Sequence, residues 1–459
     1  MGQIPFSLIL ISLLVTLPVY HTTAHQECSN LNTVPHQVRA GYWFSHTNRY
    51  SPVYNINTSF YTHLYYYSLS LDDVHSQVAL PPNDQLPLLA TFSATLKAQN
   101  PSLKTILSIS TDDRHQTNVS SAAFSSMVGN QTLRMSFINS AIELARNHAF
   151  DGLDLAWQFP SSSSDMTSLG ILLAEWRARI NEEAKNSSST LLLTATAYFS
   201  NHLFDGPVDN LDYPIDSISD NLDWANVLCF GYHKNSDLTA LDAPLYDKAS
   251  HFSTSYGITS WLVAGIPACK LVMGVPLYGR SWILKNKMKN ELGAPVVAMG
   301  PRQKVSNQTG LMAYSEIKET LKDPNIVFVY DNQTVSAYFH SGDLWVSFDS
   351  IEVVEVKIEF ALQKRLLGYF LWPISFDDSN YTVSKQASEV WLRNHDSPYD
   401  EDENGFEQAP SPAQPPSPAQ LPSQDHALTP SAAFSGSRTH KLHLDLYILL
   451  FLLFYLSTI

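Results

Sequence analysis

Residues 151–160 read DGLDLAWQFP, and this stretch carries the strongest indication of the fold. It predicts a buried β-strand over Gly152–Gln158. Side chains two residues apart on a strand face the same side, so Asp154, Ala156 and Gln158 are expected to point together into one end of the structure. The chemistry of these three positions therefore bears on function as well as on fold.

Seven other short apolar runs alternate with helical patterns along the body of the chain, about residues 27–395. The clearest helix is predicted over Phe137–His148, where apolar residues recur at helical spacing. Such alternation indicates parallel βα units. Eight strands predict an α/β fold, a (β/α)8 TIM barrel, with functional groups at the carboxyl ends of the strands. The other predicted strands are Val38–Phe44, Tyr61–Leu69, Lys104–Ser110, Leu191–Phe199, Ala225–Phe230, Leu271–Pro276 and Leu366–Pro373.

A longer segment, about residues 283–345, separates the seventh predicted strand from the eighth. It carries strand-like runs of its own, at Ile326–Tyr330 and Val335–Phe339. We therefore expect a small α+β insertion at this point of the barrel.

Residues 151–160 resemble the signature of glycoside hydrolase family 18, DGXDXDWEYP, where X is any residue. Four other segments are similar to plant class V chitinases and occur in the same order. They are RAGYW at 39–43, FYTHL at 60–64, GVPLYG at 274–279 and LGYFLW at 367–372. The resemblance covers about residues 34–391 and implies a barrel that acts on or binds chitin-like glycans.

The resemblance implies that positions 154, 156 and 158 should carry Asp, Asp and Glu. In the family the Glu protonates the glycosidic oxygen, and the middle Asp orients the substrate's 2-acetamido group, which attacks the anomeric carbon. This chain retains Asp151 and Asp154 but has Ala156 and Gln158 at the two positions that perform the chemistry. Gln158 can donate a hydrogen bond but has no acidic proton to transfer, and Ala156 cannot orient the acetamido group.

Two other strands depart from the family pattern. The family's MXYD falls on LCFG at 228–231, so Phe230 and Gly231 replace a hydroxyl-bearing residue and a carboxylate, and the family's SXGG becomes SIST at 108–111. Loss of a general acid costs about 10²–10⁴-fold in rate, and loss of a charge-stabilising group about 10²–10³-fold. We therefore expect no working chitinase unless His233, Asp377 or Asp378 has taken over the acid's role.

Part of the sugar-binding surface is retained. Trp372 matches the tryptophan that forms the floor under the sugar in the family, and Tyr42, Tyr278 and Arg280 match or neighbour pocket positions. Aromatic faces stack on the apolar faces of sugar rings. The leading hypothesis is a non-catalytic chitinase-like lectin or co-receptor that binds a chitooligosaccharide-like glycan containing N-acetylglucosamine.

Two alternatives stay open beside this hypothesis. One is a weak glycoside hydrolase or transglycosylase that acts on chitin-like substrates. The other is a cell-wall structural or protein-binding barrel. A signalling role would require a receptor partner.

The two ends of the chain predict its location. Residues 1–24 combine an apolar run with a small-residue site and predict a secretory signal peptide. Residues 396–435 are rich in Pro, Ser, Ala and Gln and predict an extended stalk. Small residues at Ser435, a polar spacer and an apolar tail predict a glycosylphosphatidylinositol (GPI) anchor signal over 436–459, attached at Ser435. We therefore expect the protein on the outer face of the plasma membrane or in the cell wall.

Seven Asn-X-Ser/Thr triplets agree with export, and any attached glycan must lie at the surface. These predicted glycosylation sites are Asn57, Asn118, Asn130, Asn186, Asn307, Asn332 and Asn380.

Charge and cysteine content limit the partners, disulfide bonds and cofactors that the protein can have. The formal net charge is −15, from 28 basic and 43 acidic residues, and no Lys/Arg cluster occurs, so nucleic acid is not an expected partner. Cys28, Cys229 and Cys269 allow one disulfide, and the sequence leaves the pairing open. No ligand spacing indicates a metal, and no cofactor is expected.

Overall fold

The computed structural model describes residues 37–72, 74–111, 121–187, 189–204, 211–233 and 236–395. The predicted signal peptide, stalk and anchor signal with Ser435 lie outside the described residues, as do Cys28 and Asn118. No helix within the described ranges is long and apolar enough to cross a membrane.

Eight parallel strands form a closed barrel, which confirms the predicted (β/α)8 TIM fold. Each strand pairs with the next along the chain, and β1 pairs with both β2 and β8, so that no edge remains open. At this junction Gly41 lies between Leu64 of β2 and Leu371 of β8. The strands are β1 (Val38–Phe44), β2 (His63–Asp72), β3 (Lys104–Ser110), β4 (Gly152–Ala156), β5 (Leu192–Ala197), β6 (Trp224–Val227), β7 (Leu271–Pro276) and β8 (Gly368–Trp372).

Helices pack their apolar faces against the outside of the barrel. Gln131–Asn147, for example, buries Phe137 and Ala141, and the side chain of Asn130 caps its first turn by accepting two backbone N–H bonds. The helices are α1 (Leu86–Gln99), α2 (Ser121–Val128), α3 (Gln131–Asn147), α4 (Ser163–Glu183), α5 (Ile215–Asn221), α6 (Thr254–Ala264), α7 (Tyr314–Thr320), α8 (Ile351–Gln363) and α9 (Thr382–His395).

The insertion between β7 and β8 is an antiparallel sheet that carries helix α7. It is wider than the sequence predicts, because its first strand begins two residues after β7 ends. A buried ion pair, Lys357 Nζ to Asp349 Oδ2 at 2.5 Å, fixes the chain where the insertion returns to the barrel. The six strands are Tyr278–Leu284, Val296–Met299, Leu311–Ala313, Val327–Asp331, Ser336–Ser341 and Leu344–Phe348.

Smaller elements complete the described chain. The strand Gln77–Ala79 pairs with β2, and His202–Leu203 pairs with Leu211–Asp212. Short 3-10 turns lie at Ser45–Thr47, Val53–Asn55, Thr58–Phe60, Ala184–Asn186, Ala268–Lys270 and Ile374–Phe376.

The end of β4 differs from the prediction in a way that matters for the site. The strand ends at Ala156, so Gln158 lies two residues beyond it. The backbone N–H of Gln158 donates to Oγ1 of Thr111 at 3.0 Å and fixes this loop against the end of β3. Asp154 and Ala156 therefore share the strand, whereas Gln158 is held by the loop that follows.

Of the two cysteines within the described ranges, Cys229 is a buried free thiol and Cys269 is disulfide-bonded. Burial raises the pKa of Cys229 to about 12, so this thiol stays protonated and unreactive.

Candidate functional site

A cleft of about 960 Å³ lies at the carboxyl ends of the barrel strands, bordered by the loops after β4, β5 and β6 and by the insertion. Among the described residues that line it, none is Asp or Glu. The aromatic lining residues are Phe44, Phe159, Tyr198, Phe199, Phe230, Tyr232, Phe252, Tyr278, Trp372 and Phe376. The polar or charged ones are Gln158, Ser161, His233, Ser236, Arg280, Gln308 and Thr309.

Trp372, at the end of β8, forms the floor of this cleft. Its side chain is 5 % exposed. Around it pack the rings of Tyr67 at 4.8 Å, Phe44 at 5.2 Å and Phe230 at 6.0 Å between centroids. The indole is therefore fixed by its neighbours, and its remaining open surface faces the cleft, as a stacking platform requires.

Arg280 and Tyr278 line the cleft from the first strand of the insertion. Arg280 Nε donates to Oδ1 of Asp242 at 2.5 Å, and both side chains are at least nine-tenths buried. Burial and the nearby charge of Asp242 raise the pKa of Tyr278, so its hydroxyl stays protonated. Both side chains line the cleft, and their contacts with Asp242 hold them in place.

A buried polar network lies beneath this floor, inside the barrel. Asp154 Oδ2 accepts from Ser108 Oγ at 2.7 Å and from Tyr42 OH at 3.1 Å, and Oδ1 accepts from Thr194 Oγ1 at 2.7 Å. Asn226 Nδ2 donates in turn to the Tyr42 oxygen at 2.8 Å. Burial raises the pKa of Asp154 to about 6, although these hydrogen bonds partly offset it.

Tyr42 belongs to this network and not to the cleft wall. It is fully buried, its ring stacks on Tyr65 at 4.1 Å, and its centroid lies 4.7 Å from that of Trp372. This differs from the sequence expectation that Tyr42 neighbours the sugar. The sequence does not show that Tyr42 lies below the cleft. Tyr42 and Trp372 both lie on strands whose inward side chains stack in layers within the barrel, and the layer of each side chain cannot be read from the sequence.

Position 158 lies in the cleft lining, whereas position 156 carries only a methyl group and is buried below the lining. Gln158 lines the cleft, and its buried Nε2 has no hydrogen-bond partner. Ala156 is fully buried next to Ser110, whose Oγ lies 2.9 Å from the Tyr67 hydroxyl. An unpaired buried donor is costly, and a bound oxygen would satisfy this one only if the amide turned toward the cleft.

The sequence model of the family named glycosyl hydrolases family 18 matches residues 38–377, which is most of the described barrel. The chain belongs to glycoside hydrolase family 18. A class V chitinase of Arabidopsis thaliana is 35 % identical over 388 residues, covering 83 % of this chain and 95 % of the relative.

Solved structures of family 18 proteins share the fold. A glutamate-to-glutamine mutant of a class V chitinase from Nicotiana tobaccum, in complex with NAG4, is 36 % identical with a TM-score of 0.71 and covers 77 % of this chain and 98 % of that one. The chitinase-like agglutinin RobpsCRA from Robinia pseudoacacia is 32 % identical with a TM-score of 0.67, covering 77 % and 99 %.

Within this family 18 barrel, Asp151 lies away from the cleft. It precedes β4, at the amino end of the barrel, where its carboxylate accepts from the Thr105 N–H at 2.8 Å and pairs with Lys97 at 2.7 Å and Lys104 at 3.5 Å. Its role is to fasten β3, β4 and α1 together.

The three candidates for a replacement acid have different surroundings. Asp377 accepts the backbone N–H groups of Val383 and Ser384 and so caps α9, and Asp378 accepts from Thr382 and pairs with Lys318. Neither aspartate is among the residues that line the cleft. His233 does line it, 5.3 Å from the ring of Phe252.

Phe230 and Gly231 lie at the cleft edge of β6. Phe230 packs edge-on against Tyr278 at 6.0 Å. Gly231 has φ of +79°, and its N–H donates to the Asp242 carbonyl oxygen at 2.9 Å. The backbone here adopts a left-handed conformation that residues with side chains rarely occupy.

Sequence reasoning missed the aromatic side of the cleft, Phe159, Tyr198, Phe199 and Phe252. A positional signal was present, because Phe159 follows β4 and Tyr198 and Phe199 follow β5, at the barrel end where ligands bind. Phe252 lies in the long connection after β6, whose course no pattern predicts.

Proposed function

We propose that the protein binds a chitooligosaccharide-like glycan containing N-acetylglucosamine and does not hydrolyse it. The observation that carries this proposal is the cleft lining, which has aromatic platforms and hydrogen-bond donors but no carboxyl group among the described residues. Glycoside hydrolysis in this family requires a carboxylic acid beside the scissile bond. The residue at that position here is Gln158.

Asp154 does not replace the missing acid. Its side chain is fully buried and both of its oxygens accept hydrogen bonds within the barrel. A proton held there is not beside a glycosidic oxygen in the cleft, because Asp154 is not among the residues that line it. Proton transfer needs direct hydrogen-bond reach, or one water, between acid and substrate.

The aromatic and polar residues that line the cleft favour glycan binding. Trp372 offers a stacking surface, and Gln158, Tyr278 and Arg280 add polar groups to the cleft lining. The tobacco chitinase that carries glutamine in place of a glutamate was solved with NAG4, and a relative of the same fold is described as an agglutinin. Both relatives support the proposal that this barrel binds a glycan.

We further propose that the protein acts at the cell surface as a lectin or co-receptor, exported by its signal peptide and held by a GPI anchor at Ser435. The six predicted glycosylation sites within the described ranges all have exposed side chains, as export with glycosylation requires. Signalling from this position would pass through a receptor partner.

Calorimetric titration of the purified secreted protein with chitooligosaccharides of two to six sugars tests the proposal. We expect saturable heat that grows with chain length, and no shortened products by mass spectrometry after long incubation. Cello-oligosaccharides of equal length, which lack acetamido groups, are the matched control. Absence of heat at every length contradicts glycan binding and favours the protein-binding alternative.

A weak hydrolase is the second candidate, favoured by the position of His233 in the cleft. Shortened products in the same titration would support it over the non-catalytic proposal. His233→Gln should then abolish product formation while leaving the binding heat unchanged.

A further inference from the structure

Residues 327–341 form a hairpin at one edge of the insertion sheet. Its first strand, Val327–Asp331, pairs with Ser336–Ser341, and no strand of the described chain pairs with its other side. Phe328 on this strand is 44 % exposed and Tyr330 is 38 % exposed. An open strand edge with exposed aromatic side chains is a site of unwanted association unless something covers it.

The turn of this hairpin carries a predicted glycosylation site. Asn332 is exposed and directly follows Asp331, the last paired residue of the strand. Tyr330 comes two residues before Asn332, and none of the other six Asn-X-Ser/Thr triplets has Phe, Trp or Tyr at that position. Side chains two residues apart along an extended chain face the same side. We therefore expect a sugar attached to Asn332 to lie beside the ring of Tyr330.

The fold does not use the hydroxyl group of this triplet. Thr334 Oγ1 is buried and has no hydrogen-bond partner among the described residues. In the triplet at Asn380, by contrast, Thr382 Oγ1 donates to Asp378 Oδ2 at 2.8 Å. A valine would fill the volume of Thr334 without the cost of an unpaired hydroxyl. Recognition of an Asn-X-Thr triplet before folding does require that hydroxyl, so glycosylation accounts for a threonine that packing does not.

The hairpin turn also connects the insertion to the barrel. The carbonyl oxygen of Thr334 accepts the backbone N–H groups of Leu245 at 3.0 Å and Tyr246 at 3.1 Å, in the connection that follows β6. The same connection contains Asp242, which holds Arg280 at the cleft. A contact that stabilises the turn therefore stabilises the attachment of the insertion to the barrel.

We propose that the first N-acetylglucosamine of a glycan on Asn332 stacks on the ring of Tyr330 and covers this edge of the insertion sheet. The apolar face of a sugar ring matches an aromatic face. The rest of the glycan stays in water and keeps other strands away from the open edge. The inference rests on the proposed export with glycosylation and is independent of what the cleft binds.

The test measures thermal unfolding of the full chain, purified from eukaryotic cells that attach high-mannose glycans. Mass spectrometry of the peptide that contains Asn332 should find it glycosylated. Asn332→Gln, which removes this glycan, should lower the melting temperature by about 1–3 °C. Asn186→Gln is the matched control and should leave the melting temperature unchanged, because Asn186 is exposed and has Ala184 two residues before it.

Variants of the ring separate stacking from other effects of a glycan. In a Tyr330→Ser background, Asn332→Gln should no longer lower the melting temperature. A Tyr330→Phe background should keep the difference, because the aromatic face remains. Tyr246→Ser is the control for the ring, since Tyr246 is 40 % exposed beside the same turn. Enzymatic trimming of all glycans to a single N-acetylglucosamine should preserve the difference between wild type and Asn332→Gln.

Several results would overturn the inference. If Asn332 is unoccupied while other sites carry glycans, or if Asn186→Gln destabilises the protein equally, the glycan has no special role at this edge. A temperature difference that survives Tyr330→Ser, or that disappears in Tyr246→Ser, would place the sugar elsewhere. Dimers of the glycosylated wild type that Phe328→Ser abolishes in sedimentation velocity would show that a second copy covers the strand instead. If no site carries a glycan, the inference and the proposed export both fail, and the glycan titration of the cleft is unaffected.

Discussion

The hydroxyl group of Tyr42 donates a hydrogen bond to the carboxylate of Asp154 at 3.1 Å. Both side chains lie inside the barrel, where solvent does not reach them. The same tyrosine ring lies 4.7 Å from Trp372, the floor of the cleft. Asp154 is thus connected to the cleft floor through Tyr42 and does not line the cleft itself. Because burial raises its pKa, its ionisation is coupled to folding.

The stability of the protein should depend on pH through Asp154. Its pKa is raised from 3.8 to about 6 by burial, so its contribution to stability is fully present below about pH 4 and is lost as the pH rises through about 6. The loss is on the order of 3 kcal/mol. Asp154→Asn should remove this dependence, measured by urea unfolding between pH 4 and 7. A stability difference between the two proteins that stays constant with pH would show that Asp154 does not titrate in this range.

His63 should make the stability of the protein depend on pH in the opposite direction. Burial lowers its pKa from 6.5 to about 4, so its contribution is present above about pH 6.5 and is lost as the pH falls toward 4. His63→Gln should therefore lose less stability on acidification than the wild type, in the same urea experiment. His75→Gln is the matched control, because the side chain of His75 is 68 % exposed. If His75→Gln changes the acid sensitivity of the stability as much as His63→Gln does, His63 has no specific role.

Trp372→Phe should weaken glycan binding by about 1–3 kcal/mol, because the smaller ring offers less stacking surface. Phenylalanine is preferable to alanine here, since removal of a packed tryptophan costs about 3–5 kcal/mol of stability. Trp391→Phe is the control, because Trp391 is buried against Tyr369 at 5.6 Å and does not line the cleft. Equal affinities of wild type and folded Trp372→Phe would exclude the floor as a sugar platform.

The barrel itself was predictable because eight strand-like runs alternate with helical patterns and long family motifs fall on five of those strands. The bounds of β1, β3 and β7 match the prediction, whereas β4 and β6 end two and three residues early. Strands shorten where the chain turns to build the cleft, and hydrogen bonds from distant loops, such as Gln158 to Thr111, decide this. No local pattern contains that information.

Site residues on strands could be predicted from the sequence. The layer of a side chain inside the barrel, and site residues that lie on loops, could not. Trp372, Tyr278 and Arg280 line the cleft, and their contact with a sugar stays a prediction. Tyr42 was placed on the correct face of β1 but at the wrong depth, because alternation gives the side of a strand and not the layer within a barrel. Asp242, which holds Arg280, comes from a long connection whose course the sequence does not fix.

The location proposal predicts release by phosphatidylinositol-specific phospholipase C. Treatment of intact cells should move the protein into the medium if a GPI anchor holds it at Ser435. Immunoblots of cells and medium measure the release, and a transmembrane surface protein in the same cells is the control. Protein that stays membrane-bound and still contains residues 446–456 would show that the apolar tail is retained and would overturn the anchor.

The last prediction concerns restoration of catalysis. Gln158→Glu alone should not give useful hydrolysis, although it returns a carboxyl group to the cleft. A general acid must stay protonated near neutral pH, and neighbouring carboxylates supply much of that pKa shift. With Ala156 in place one such neighbour is missing, and nothing orients the acetamido oxygen for attack. Ala156→Asp combined with Gln158→Glu should give detectable but poor activity.

Adding Phe230→Tyr should then raise the rate more than in proportion, because groups that act as a unit are not additive. Gly231→Asp is the weakest step of the series, since φ of +79° at this position costs a residue with a side chain about 1 kcal/mol or more. Release of a fluorescent group from a chitotrioside measures each variant, and Phe376→Tyr, a hydroxyl added elsewhere in the cleft, is the control for Phe230→Tyr. A wild type that already turns over as fast as the double variant would refute the loss of catalysis, because another group in the cleft, such as His233, must then supply the proton.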